Sequence, residues 1–164
     1  MKRLAIGVAI LAIGVTGCGS GSNNPTSPSD ITVFTVPLSA QNEVPPVTNA
    51  ESGATGTAVI TIHRSTNTID FNVSLAGFTP TSAVNIAHIH GPNGAAGQVA
   101  SVLVSTTLSA GNVNLVNGAG TFSFPAVQTT EANVTQILAN PRNFYFNVHT
   151  SLNGNGAIRG QLQP

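Results

Sequence analysis

Charge and sulfur are what this chain has least of. Its 164 residues hold five basic and five acidic side chains, one cysteine, one methionine, one tyrosine and no tryptophan. A lone cysteine excludes an intramolecular disulfide, so packing and hydrogen bonds alone must hold the fold. Beyond the first seventeen residues the only basic side chains are Arg64, Arg142 and Arg159, set against Asp30, Glu43, Glu51, Asp70 and Glu131, a net charge of −2. A nucleic-acid or anionic-lipid surface needs clustered Lys and Arg, so neither partner fits. The acidic residues are too few and too scattered to nominate a hydrolytic pair, and no serine sits in a Gly-x-Ser-x-Gly elbow. Gly91–Gly97 is rich in glycine but lacks the lysine and the following helix of a phosphate loop. The reading leans away from an enzyme.

What the chain does have begins with Lys2 and Arg3, followed by an uncharged apolar run from Leu4 to Val15. A bilayer span needs about 20 apolar residues, so this run reads as a removable export signal. Val15-Thr16-Gly17-Cys18 resembles the bacterial lipobox, in which an aliphatic residue and two small ones precede an obligatory lipidated cysteine. The expectation is a signal peptide over 1–17, a lipid on Cys18 and a flexible tether over 18–30, where the small, polar GSGSNNPTSPSD stretch has too little apolar surface to fold. Two or more acyl chains hold a protein stably on a membrane. The mature protein is therefore expected in the bacterial cell envelope, outside the cytoplasm. Gly19 stands where an inner-membrane retention signal has Asp, which favours the outer membrane in a cell with two.

From Ile31 to Pro164 the chain changes to short Val-, Ile-, Thr- and Phe-rich stretches punctuated by Gly, Asn and Pro, the pattern of an all-β sandwich or barrel. Strands are predicted over 31–38, 54–63, 68–75, 84–90, 99–106, 120–124 and 144–149, with a last one around Ile158 to Leu162. Alternation is clean in two of them. Ile69, Phe71, Val73 and Leu75 face in against Asp70, Asn72 and Ser74, and Phe144, Phe146 and Val148 alternate with Tyr145, Asn147 and His149. One short helix is predicted over 131–138, capped by Thr129 or Thr130 and stopped by Pro141.

Three of the four histidines lie near strand ends: His88 and His90 in Ala-His-Ile-His-Gly-Pro, and His149 in Asn-Val-His-Thr. Side chains two apart on a strand share a face about 6.6 Å apart, close enough for both imidazoles to reach one ion. His149 would supply a third ligand if its strand lay beside or opposite. A sulfur-free set of imidazoles suits Cu(II) or Zn(II), with copper favoured on intrinsic affinity. Arg159 is then a candidate for positive charge near an open coordination position. Imidazoles at strand ends also satisfy turn carbonyls with no metal at all. His63 is read as solvent-facing rather than as a ligand.

Three segments stand out together: Leu38–Val47 (LSAQNEVPPV), Ala87–Gly97 (AHIHGPNGAAG) and Asn147–Leu162 (NVHTSLNGNGAIRGQL). They resemble the CHRD domain of chordin and of many exported microbial proteins, over essentially all of 31–164. The matching positions are Asn42, Glu43, Val44, Pro45 and Pro46, then His88, His90 and Gly91, then His149, Arg159, Gly160 and Gln161. The resemblance implies an immunoglobulin-like, Greek-key antiparallel β-sandwich outside the cytoplasm with no established enzymatic activity. The order His-x-His, later His, later Arg also resembles the copper half of the Cu,Zn superoxide dismutase sandwich, although the bridging histidine, zinc-ligand loop and disulfide of that enzyme are missing here. Two functions follow as expectations: a non-enzymatic envelope module binding a protein or matrix partner, and a copper-binding domain with a redox or copper-handling role.

Overall fold

The computed structural model describes residues 29–163. The export signal, Cys18 and most of the tether lie outside them. Eight strands form one antiparallel sheet: β1 (Ile31–Ser39), β2 (Thr55–His63), β3 (Thr68–Ala76), β4 (Val84–His90), β5 (Val102–Ser105), β6 (Gly120–Gln128), β7 (Tyr145–Thr150) and β8 (Ile158–Gln161). Their order across the sheet is β5-β4-β7-β8-β1-β2-β3-β6.

That sheet is curled over into two layers. In a flat sheet β3 and β7, four strands apart, would stand about 19 Å from each other, yet the rings of Phe71 and Phe146 stack with centroids 5.5 Å apart. The crease lies between β8 and β1, which share one registered pair, Ser39 with Arg159. One layer is then β1-β2-β3-β6 and the other β5-β4-β7-β8, with Phe34, Val36, Ile60, Ile62, Phe71, Ile89 and Phe146 buried in the single core between them. This is the all-β, sandwich-like fold that the sequence predicts.

Two predicted strands need correction. The 99–106 strand shrinks to β5, because the carbonyls of Ala100 and Ser101 accept from the His90 ring and from the Gly91 amide instead of from a neighbouring strand. The 120–124 strand runs on to Gln128, through Pro125. β6 is the outermost strand, where a missing N–H costs no ladder bond. It bends there, with Ala126 at φ 52° and its amide donating to Asp70 Oδ1 at 2.7 Å. The helix α1 (Glu131–Ala139) is capped by Thr130, whose hydroxyl accepts from the Asn133 amide, and it buries Val134 and Ile137.

The alternation of β7 decides where the site forms. Phe146 and Val148 fill the core, so Tyr145, Asn147 and His149 must face the opposite way. In β4, Ala87 and Ile89 fill the core, which sends His88 and His90 to that same outer face. An outer face is ordinarily wet. Here all five of those side chains are nonetheless buried, because loops from three parts of the chain cover them.

Candidate functional site

Register brings the histidines together. β4 and β7 are neighbours, with His88 opposite Asn147, His90 opposite Tyr145 and Ile86 opposite His149. His88 thus lies diagonal to His149, within reach of long side chains on the same face. Its ring centroid is 4.6 Å from that of His90 and 4.6 Å from that of His149, and the latter two are 6.3 Å apart. One donor atom of each ring lies within 4.8 Å of the other two.

Hydrogen bonds orient two of the three rings. His90 Nδ1 meets the Ala100 carbonyl at 2.7 Å and His149 Nδ1 meets the Gly154 carbonyl at 3.0 Å. A carbonyl only accepts, so both Nδ1 atoms carry the proton and both Nε2 atoms present a lone pair. Those two Nε2 atoms and His88 Nδ1 are buried without a hydrogen-bond partner among the described residues. The sequence offers two roles for a strand-end imidazole, satisfying a turn carbonyl or holding an ion. His90 and His149 do the first with one nitrogen and leave the other free for the second.

The electrostatics keep the rings neutral. Burial, reinforced by the neighbouring His149 and His90, pushes the His88 imidazole down to about 3. Burial also lowers His90 and His149, against the partial support of their carbonyl partners. Neutral imidazole is the form that ligates. Three nitrogens bonded at 2.0–2.1 Å to one ion stand about 3.3–4.2 Å apart, so the cluster needs to close by at most about 1.5 Å. The residues present fit a metal ion: three unpartnered nitrogens, two of them aimed by backbone carbonyls, with no competing proton.

Arg159 is on the same face, opposite Asn147 in β8. It is buried, its Nη1 donates to the Gln98 carbonyl at 2.9 Å, and its guanidinium carbon lies 4.1 Å from the centre of the Tyr145 ring. Its charge therefore acts from the Tyr145 side of the cluster, and it also ties down the loop that presents Ala100. Tyr145 itself stacks on His90 with centroids 4.6 Å apart and planes within 6°. His63, set aside as a ligand, is half-buried far along β2 and meets Asp70 Oδ2 at 2.9 Å.

The three motif segments close on one another around this cluster. Asn42 Nδ2 donates to the Arg159 carbonyl at 3.1 Å. Asn147 Nδ2 donates to both oxygens of Glu43, at 3.0 and 3.2 Å. Gln161 Nε2 donates to the Gly94 carbonyl. Burial raises Glu43 from its ordinary 4.5 to about 7, with Arg159 pulling it back. Gly156, at φ 134°, passes so close that a Cβ there would lie 2.6 Å from Glu43 Oε2 and 2.7 Å from Asn147 Nδ2, so glycine alone lets the carboxylate and the amide meet.

Tyr145 and Asn147 were legible as partners of His149, since they share its face by parity. No local signal marks Ala100 or Gly154, which the loops deliver. No curated protein and no solved structure matches the chain. A family model does match: residues 34–162, spanning all three motif segments and the histidine cluster they enclose, fit the CHRD domain, and the chain belongs to the CHRD-domain family.

Proposed function

We propose that this protein is a lipid-anchored envelope module whose buried histidine cluster binds a metal ion, copper foremost, through His88, His90 and His149. The observation that carries this reading is the trio of buried nitrogens with no hydrogen-bond partner among the described residues, converging from β4 and β7. An unpaired buried polar atom costs roughly 1–3 kcal/mol, and three in one place are explained by a ligand they share. An all-imidazole set favours copper over zinc on intrinsic affinity, and the described residues include no cysteine. Bound copper would supply a redox-active, Lewis-acidic centre. The chain's own part is to aim His90 and His149 through Ala100 and Gly154, keep all three rings neutral, and exclude water by covering them.

Copper content of the purified protein, compared with that of a His88→Ala, His90→Ala double variant, tests this reading. One copper per chain, lost in the variant, supports it; content that does not change when both rings are removed overturns it. Anchoring rests on the Val15–Cys18 motif, and Cys18→Ser is expected to move the protein from the membrane fraction to the soluble one.

A second reading has its own support. Membership of the CHRD family favours a non-enzymatic module that binds an extracytoplasmic protein or matrix partner. Partners recovered equally well with and without a chelator would favour that reading.

A further inference from the structure

His149 is aimed by the Gly154 carbonyl, and Gly154 lies in the turn between β7 and β8. What holds that turn is a buried carboxylate from a different part of the chain. Glu51, in the β1–β2 connection, is fully buried. It accepts from Thr150 Oγ1 at 2.7 Å, from Asn153 Nδ2 at 2.6 Å and from Ser82 Oγ. The neighbouring Asn49 adds a second tie, its Nδ2 donating to Asn153 Oδ1 at 2.8 Å and its own Oδ1 accepting the Glu51 amide. Thr150 Oγ1 in turn accepts from the Asn153 amide at 3.1 Å.

Among the described residues no cation pairs with Glu51, and the one ion pair recorded there is His63 with Asp70. A buried carboxyl group needs partners for both oxygens, and here hydroxyl and amide groups supply them. An apolar side chain would fill the space but would accept from none of the three donors. Those donors include both residues that open the turn, Thr150 and Asn153, so the carboxylate sets the backbone path that leads to Gly154.

We propose that Glu51 is a positioning residue for His149: by fixing the 150–154 turn it places the Gly154 carbonyl, which keeps the proton on His149 Nδ1 and leaves Nε2 facing the shared centre. The inference deepens the metal reading above and rests on it, but its first consequence is visible with no metal bound. A role confined to stability would leave the protonated nitrogen of His149 unchanged.

The test is a long-range proton–nitrogen correlation spectrum of the histidine side chains in the metal-free protein, followed by copper titration. Wild type is expected to show His149 with its proton on Nδ1 alone. Glu51→Ala takes away the Oε2 atom that accepts from both Thr150 and Asn153, and it is expected to show His149 shared between its two tautomers. His90, aimed by Ala100, stays unchanged. Copper affinity falls by roughly 10–100-fold, the usual cost of losing a partner behind a ligand. Asn153→Ala, at a half-buried turn position, gives the same change if Glu51→Ala does not fold. An unaltered His149 tautomer and unaltered copper affinity in whichever variants fold would overturn the proposal. Wild-type protein that takes up no copper defeats the metal reading, while a tautomer shift in that same protein would still establish that Glu51 positions His149.

Discussion

His90 and Tyr145 lie ring on ring, 4.6 Å between centroids and 6° from parallel, one residue on each of two neighbouring strands. Tyr145 is the only tyrosine and there is no tryptophan, so the fluorescence of the whole chain reports from one ring against the cluster. Cu(II) is expected to quench that emission to a plateau at one equivalent, and Zn(II) to leave most of it. Tyr145→Phe removes the signal and keeps the copper content. Emission that falls without a plateau would mean that copper binds elsewhere.

Stability of the metal-free protein should depend on pH in a direction set by two opposed groups. His88 titrates near 3 in the fold, and ordinarily near 6.5. The unfolded chain takes that proton first, so the contribution is complete above about 6.5 and drains away as pH falls toward 3. His90 and His149 are shifted in the same direction. Glu43 runs the other way: it holds its proton to about 7 in the fold against 4.5 when unfolded, so its contribution is greatest below 4.5 and lost as pH rises through 7. Three groups outweigh one, and the melting temperature is expected to fall between pH 7 and pH 5. Glu43→Gln keeps an acceptor for Asn147 and removes the opposing contribution, so the fall between pH 7 and pH 5 should become steeper. A melting temperature that rises on acidification to pH 5 would contradict this account.

Much of this site was legible before the fold was. The spacing of His88 and His90 puts them on one face, and alternation through Phe144–His149 puts His149 opposite its core-facing phenylalanines. What strand patterning does not carry is which strands are neighbours, and the β4–β7 pairing decides whether three rings meet. The 99–106 stretch was over-read as strand because Val102, Leu103 and Val104 have the composition of one. Ala100 and Ser101 have their carbonyls drawn to His90 and Gly91 instead. Glu51 lay beyond reading altogether. Glu-Ser-Gly marks only a turn, and the partners that give Glu51 its role are 31 to 102 residues away.

The crease between the layers leaves no room for a side chain. A Cβ on Gly160 would run into the Pro37 carbonyl and come within 2.7 Å of Val36 Cγ1, where β8 passes β1. Gly160→Ala should therefore cost about 3 kcal/mol or more, since relieving the clash means parting two strands. Gly154→Ala makes the control: a Cβ there meets nothing within 4 Å, and the change is expected to stay within about 0.5 kcal/mol. Urea denaturation of the two variants checks both figures, and equal losses would mean that the strands part easily.

The account turns on whether rings from two separate strands share one ion, and the nitrogen hyperfine structure in the electron paramagnetic resonance spectrum of the Cu(II)-loaded protein reads that directly. Wild type is predicted to show three equivalent-strength nitrogens, and His149→Ala two. The same nitrogen count in both proteins would show that copper does not use the β7 histidine, and would contradict the shared centre.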